Sequence, residues 1–350
     1  LQVNCFAISG FFSSLQAKMF LFVTGNSRSG TTMMSRILGN HAHVFTFQEL
    51  HFFDELVKGL PTDVLSFEQS VQLYGKLCAV QRNGYFGDRN PKPFLEEAKA
   101  ALLGKDGISQ IALYQLFCLN ESKLHGKSIP CKQTPQNIFS IAAILEHIPE
   151  SKIIIMVRDP REVLLSQKNK WKRRALSGGE IPFWESVRAR LNYHPVTISR
   201  IWNATFKEGL KYENHPAVKM VYYEQLIGNP EQVIAEVSQF CDINYSSALL
   251  DIPVVGSSNF QDAVQVRGVD TKKMGQWNKG GLSDEEIQIC EAINSESMSK
   301  AGYALSGIKG SSIQVKLIRM MMPVKLGLAL FFNLKRLKNL SQIRKKIFGN

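Results

Sequence analysis

The chain has 350 residues, 44% of them hydrophobic and 21% charged, with a formal net charge of +12. That is the composition of a folded soluble protein, long enough for one large α/β domain or two smaller ones. Six cysteines without a C-x-x-C pair exclude a zinc or redox motif and read as buried thiols in a reducing compartment. The charge is uneven: residues 311–350 hold nine Lys/Arg and no acid, which leaves the first 310 residues at only +3.

Residues 1–18 are broken by Asn4, Ser9, Ser13, Ser14, Gln16 and Lys18. They match neither a transmembrane span nor a signal peptide, and read as an extension before Met19 that adds nothing to the fold. Met19–Val23 then predicts a first strand, and Met33–Leu38 an amphipathic helix. Between them stands Gly25-Asn26-Ser27-Arg28-Ser29-Gly30-Thr31-Thr32. A strand, a glycine turn and a helix start gather backbone N–H groups and about half a positive charge at one point, which suits phosphate-like anions. The spacing is that of a P-loop, G-x4-G, but Thr31 stands where the P-loop lysine would reach the outer phosphates of a triphosphate. The cradle remains and the triphosphate clamp does not.

Residues 60–125 read as an irregular helical insertion over a substrate pocket. Thr134-Pro135 opens a helix through Ile138, Ile141, Ile144 and Leu145. Lys152–Val157 is a β-branched run typical of a strand buried on both faces of a parallel sheet. Arg158 ends that strand, and Pro160 opens the next helix, with Ser166 eight residues after Arg158. A guanidinium fork and a hydroxyl make a second anion seat. The plainer alternative is a structural ion pair of Arg158 with Asp159 or Glu162. Ala217–Tyr222 reads as a strand, and Glu231–Cys241 and Ser283–Ala301 as helices. The alternation predicts a doubly wound α/β fold with a mostly parallel sheet and ligands at the strands' carboxyl ends. Val315–Leu330 and Phe331–Phe348 predict basic amphipathic helices, either a membrane-surface element or helices packed on the domain. No basic patch continues into the body, so nucleic acid is not an expected partner.

Ser27–Thr32 resembles the 5′-phosphosulfate loop of sulfotransferases that use 3′-phosphoadenosine-5′-phosphosulfate, and Arg158 with Ser166 resembles that family's 3′-phosphate element. Tyr223-Glu224-Gln225-Leu226 is similar to the family's Y-E-x-L strand end, and Gly275-Gln276-Trp277 to its late G-x-W loop. The four motifs stand in the family's order. The resemblance implies the sulfotransferase fold over 19–305, with a basic tail over 306–350. It implies Ser27, Arg28, Ser29, Gly30, Thr31, Thr32, Arg158, Ser166, Lys170, Tyr223, Lys273, Gly275 and Trp277 as nucleotide-binding residues. The pattern is similar to the branch that includes tyrosylprotein sulfotransferases. There, Glu49, 21 residues after Arg28, matches a glutamate; Lys132 in Lys132-Gln133-Thr134-Pro135 matches a lysine; Lys170 matches a further basic position. Gln276 departs from that branch, which has lysine before the tryptophan; Lys272 and Lys273 stand near enough to take its place. Those enzymes are membrane-anchored and lumenal, features this sequence does not display, so protein tyrosine is not the expected acceptor.

The implied reaction is in-line sulfuryl transfer to a hydroxyl, with little covalent work for the protein and no metal. Arg28 and Lys132 are the expected cations at the leaving phosphate, and Glu49 the expected base, served best by burial that raises its pKa. His51, with His43 behind it, is the rival base. Basic and aromatic residues of Trp171–Pro195 suit a sugar or an anionic glycan as acceptor; a tail lying on a membrane would make the acceptor a glycolipid, and the expected enzyme is cytoplasmic and peripheral to that membrane. The alternatives are a P-loop kinase, with Asp159 holding magnesium, and a nucleotide-binding protein of the same fold without catalysis.

Overall fold

The computed structural model describes residues 19–57, 59–84, 87–172, 175–176, 179–253, 267–269 and 274–333. Lys272 and Lys273, and most of the second tail stretch from residue 334 on, lie outside them. Five parallel strands form the main sheet: β1 (Phe20–Gly25), β2 (Val44–Thr46), β3 (Ile129–Gln133), β4 (Ser151–Val157) and, after a two-stranded hairpin of β5 (Ala175–Leu176) and β6 (Gly179–Glu180), β7 (Val218–Tyr222). Their order is β2-β3-β1-β4-β7. The chain leaves β1 towards β2 and leaves β4 towards β7, so the order reverses between β1 and β4. In such sheets the crevice at that reversal is where ligands bind.

Both faces of the sheet are covered, as the apolar runs predict. Phe20 and Phe22 of β1, with Ile153 and Ile155 of β4, face a core shared with Trp202, Phe206, Tyr114 and Phe117. Leu21, Val23, Ile154 and Met156 face the opposite core, with Met34, Ile37 and Leu38 of helix α1 (Thr31–Gly39). Each fully buried side chain of this size contributes about 1.5–3 kcal/mol. Register fixes which residues share a face: Phe22 pairs with Lys132 and Val23 with Gln133.

The expected insertion is helical: α2 (Phe67–Asn83), α3 (Leu95–Leu102) and α4 (Gln110–Leu124). A capping box of Ser66 and Gln69 starts α2. The helix expected after Thr134 begins instead as a 3-10 turn, Pro135–Ser140, and turns α-helical only as α5 (Ile141–His147). The Thr134 side chain forms no cap; the Thr24 hydroxyl of β1 instead donates to the Pro135 carbonyl at 2.9 Å. Next come α6 (Pro160–Lys168), α7 (Phe183–Leu191), α8 (Pro195–Leu210), α9 (Tyr223–Gly228), α10 (Pro230–Phe240), α11 (Asp284–Lys300) and α12 (Ser312–Asn333). Ser283 and Glu286 close a capping box at α11, as the sequence suggests. Cys78, Cys118, Cys131, Cys241 and Cys290 are buried and unpaired. No helix of the described residues is long and apolar enough to cross a membrane.

Candidate active site

The turn from β1 to α1 forms the glycine cradle at which the first anion is expected. Gly25 and Gly30 both have positive φ, 133° and 93°. A Cβ at Gly25 would collide with the Met156 carbonyl of β4, and one at Gly30 would stand 2.6 Å from the Tyr223 ring. Only glycine lets the turn lie this close to the neighbouring strand ends. The first helical bond of α1 runs from Met34 N–H to the Gly30 carbonyl at 3.0 Å. The preceding amides, on Thr31, Thr32 and Met33, fall outside that ladder and carry the helix's positive end. The Ser29 hydroxyl is buried and has no hydrogen-bond partner among the described residues. Ser27 is half-buried and Thr32 exposed, both on the same turn.

Arg28 holds φ 78°, a strained conformation for a side-chain-bearing residue, at a cost of about 1–3 kcal/mol. In that conformation its Nε donates to Ser166 Oγ of α6 at 2.8 Å, while its carbonyl accepts from Arg158 Nη1 at 3.2 Å. The loop and the β4–α6 corner, expected to bind two different phosphates, are therefore joined. Arg28 reaches towards the second seat rather than lying only at the first.

Arg158 lies over the Tyr223 ring at 4.2 Å, and its Nη2 donates to Glu162 at 3.1 Å. The structural ion pair weighed from the sequence is real, and its acid is Glu162. Asp159 is spent elsewhere: it caps α6 through the Arg161 amide and holds the Arg161 guanidinium. Arg161 also donates to Glu291 of α11 at 2.8 Å. An acid paired in this way is not placed to hold magnesium, which removes the residue the kinase alternative relied on. Glu162 faces the late loop as well, accepting from the Trp277 N–H at 3.2 Å, and the Trp277 ring covers Arg161 at 3.9 Å. Burial raises the Glu162 carboxyl pKa, against the pull of Arg158 and of the Trp277 and Gln276 amides. Gly275 (φ 64°) starts this turn.

The expected catalytic group is only partly gathered. Glu49 follows the β2 end, and its Oε1 accepts from Gln133 Nε2 at 3.3 Å. Gln133 Nε2 also donates to Thr31 Oγ1 at 3.1 Å, so one side chain links Glu49 to the anion loop. The expected burial of Glu49 is not found; its side chain is 34% exposed. Desolvation lowers the Lys170 pKa, against the pull of the Glu49 and Glu185 carboxylates.

Lys132, the other expected cation, is buried among aromatic side chains. Its Nζ lies 2.6 Å from the centre of the Phe47 ring, with Tyr114 and Phe117 beyond and the Cys118 thiol beside it. Strand alternation is the cause: Lys132 shares the face of Phe22, and Gln133 shares that of Val23 and α1. Burial lowers the Lys132 pKa to about 8. Gln133, the last residue of β3, is the residue that meets the loop instead, and the sequence reading did not single it out. Its position at a strand's carboxyl end, like that of Arg158, was the available signal.

His51, the rival base, has φ 51° and hydrogen-bonds Asp54 at 3.0 Å, with Glu49 at 3.4 Å. Burial opposes its charging, but Asp54 and Glu49 outweigh burial and raise its pKa to about 10. It is an imidazolium at neutral pH and has no lone pair with which to accept a proton. His51, Asp54 and Glu55 bring ligand-type atoms within 4.8 Å of one another. A metal would have to displace the ring proton, and Glu55 already pairs with Arg89 at 2.8 Å.

Comparison with known proteins agrees with this geometry. A sequence profile described as "Sulfotransferase family" matches residues 21–247. An uncharacterized protein of Aquifex aeolicus is 27% identical over 67% of this chain and 27% of its own length. The protein-tyrosine sulfotransferase of Drosophila melanogaster is 22% identical over 73% of this chain and 46% of its own length. The chain thus spans only about a quarter to a half of these curated relatives. Among solved structures, the sulfotransferase domain from the curacin biosynthetic pathway superposes with a TM-score of 0.50 at 18% identity, covering 81% of this chain and 98% of that one, which speaks for the fold. With a profile match over well more than half its length, the chain belongs to the sulfotransferase family.

Proposed function

We propose that this chain transfers a sulfuryl group from 3′-phosphoadenosine-5′-phosphosulfate to an acceptor hydroxyl. The observation that carries the reading is the joining of two anion seats at the sheet's reversal point, through the 2.8 Å bond from Arg28 to Ser166. A nucleotide with phosphate on both sides of its ribose suits two such seats; a triphosphate suits one. The unpartnered Ser29 hydroxyl and the N-terminal amides of α1 fit the 5′ end. Arg158, Ser166 and the Gly275–Trp277 turn fit the 3′ end, with Tyr223 as the floor beneath Arg158. Lys273 belongs to this reading on the resemblance alone.

In the proposed step the acceptor oxygen forms a bond to sulfur as the bond from sulfur to the bridging oxygen breaks. The electron pair leaves with the 5′-phosphate, and the acceptor proton passes to Glu49. Charge builds on the leaving oxygen, where the loop amides, Thr31 and Arg28 supply preorganised positive potential. Glu49 suits the base role because it is partly open to an incoming hydroxyl and Gln133 holds it beside Thr31. His51 keeps its proton and serves as the counter-charge to Glu49 and Asp54.

We place the acceptor hydroxyl on a carbohydrate or glycolipid, and the enzyme in the cytoplasm, peripheral to a membrane. Trp171, with Arg190 and Lys172 against its ring, and the exposed Phe183 and Trp184 offer stacking surface and positive charge beside the crevice. The test supplies a donor labelled in its sulfuryl group with free and lipid-linked glycans. Wild type should move label to a glycan hydroxyl, and Glu49→Gln should lower turnover by about 10²–10⁴-fold with bisphosphate binding retained. Equal turnover by the variant refutes the base assignment, and label on no hydroxyl acceptor refutes the activity.

A further inference from the structure

Helix α12 has two apolar faces, and only one is used. Val315 and Met322 are buried against Val196 of α8 and Ile289 of α11, with Ile318 and Leu326 beside them. Polar ties hold it in place: His194 Nε2 donates to the Ile318 carbonyl at 3.1 Å, and the Gly310 amide donates to Gln288 at 2.9 Å. Packing on the domain, one of the two alternatives drawn from the sequence, is therefore realised. On the opposite side Ile313, Leu317, Met320, Val324, Leu328 and Phe331 recur at intervals of three and four residues, all exposed, Ile313 to 77% and Met320 to 68%. Residues at that spacing form one stripe. The helix also packs on α7, whose first residues Phe183 and Trp184 are 72% and 64% exposed.

We propose that this outward stripe of α12 is the chain's docking surface for an anionic lipid bilayer, with the helix lying in the plane of the headgroups. The proposal rests on the reading that the enzyme works at a membrane, and it names the surface that makes the contact. Charge selects the occupant. Lys316 and Arg319 are exposed between the two faces, Lys325 donates to the Tyr193 carbonyl at 3.4 Å, and no acid follows Glu296 in the sequence, while six more Lys/Arg follow residue 333. A second copy of the chain would set these cations against their equals. An anionic headgroup layer would neutralise them while the stripe enters the acyl boundary. Exposed Trp and Phe on the adjoining helix α7 suit the same interface.

The experiment is co-sedimentation of the full chain with vesicles of phosphatidylcholine alone, and of phosphatidylcholine mixed with phosphatidylglycerol. The chain should bind the mixed vesicles, weakly bind the neutral ones, and release as salt is raised. Leu317→Glu/Val324→Glu should lower binding to mixed vesicles by about tenfold or more, with bisphosphate binding unchanged as the check on folding. Lys316→Glu should weaken binding and flatten its salt dependence. Wild-type binding by the double variant, lost only when residues 334–350 are removed, overturns the role of α12 and leaves the membrane reading standing. Failure of the full chain to bind any vesicle overturns both. A wild-type dimer that the double variant turns into a monomer, without change in vesicle binding, assigns the stripe to a second copy and also overturns the proposal.

Discussion

Replacing Lys132 by methionine separates a catalytic lysine from a buried one. The Lys132 pKa is pulled from 10.5 to about 8 by burial. At roughly 1.4 kcal/mol per unit, the charged form costs the fold about 3 kcal/mol. The contact with Phe47 offsets about 1–2 kcal/mol of that. Methionine has similar reach and no charge, so Lys132→Met should stabilise the chain by about 1–2 kcal/mol at neutral pH, or about 1–3 °C in Tm for a chain of this length. The pH dependence carries a second signature. With the folded pKa below the unfolded one, the unfolded chain binds more protons between about pH 8 and pH 10.5, and wild-type stability rises across that window. The advantage of the variant should be full below about pH 8 and fade towards pH 10.5. Thermal melts at several pH values, with sulfuryl-transfer turnover at neutral pH, read both effects. A lower Tm together with turnover lost at unchanged bisphosphate affinity would refute the reasoning and return Lys132 to the leaving phosphate.

Two further outcomes follow from the titrating groups around the crevice. His51 has a folded pKa of about 10 against 6.5 for the free side chain, so its stabilising contribution is complete below about pH 6.5 and is lost as pH rises through about 10. In urea unfolding, the gap between wild type and His51→Gln should therefore narrow by up to about 5 kcal/mol across that range, and a gap independent of pH contradicts the imidazolium. Glu162 places a carboxylate against the arginine assigned to the 3′-phosphate. Glu162→Gln keeps an acceptor for the Trp277 amide and removes the repulsion, so adenosine 3′,5′-bisphosphate should bind about tenfold tighter near neutral pH. Weaker binding would mean that the charge of Glu162, rather than its shape, organises Arg158.

The elements that position the crevice were legible because their signals are local. A strand buried on two faces reads as an unbroken β-branched run, as Lys152–Val157 does, and a glycine turn before a helix reads as an anion loop. Arg158 and Ser166 could be assigned to one strand–helix corner in advance because only a strand end and fewer than two helical turns separate them. What stayed hidden depends on register and on long-range partners. The K-x-x-P spacing does not say whether Lys132 or Gln133 faces the loop; a one-residue difference in a strand exchanges the faces, and only pairing with β1 settles it. The Arg161–Glu291 pair joins residues 130 apart, and Glu162 meets Trp277 across 115. The charge of His51 depends on Asp54 folding back against it in the π-turn Phe52–Leu56, which no helical or strand periodicity announces. The second face of α12 was visible as hydrophobicity, but which face docks was decided by Val196 and Ile289.

One crevice with seats for two phosphates is the central feature of the proposed function. Calorimetric titration with adenosine 3′,5′-bisphosphate, 5′-AMP and ATP with magnesium, on wild type and Arg158→Ala, tests it most directly. The predicted result is tight binding of the bisphosphate alone by wild type, weakened by about 2–4 kcal/mol in the variant as one buried charged hydrogen-bonding group is removed. Preference for ATP with magnesium, or equal affinity for 5′-AMP and the bisphosphate, would contradict it.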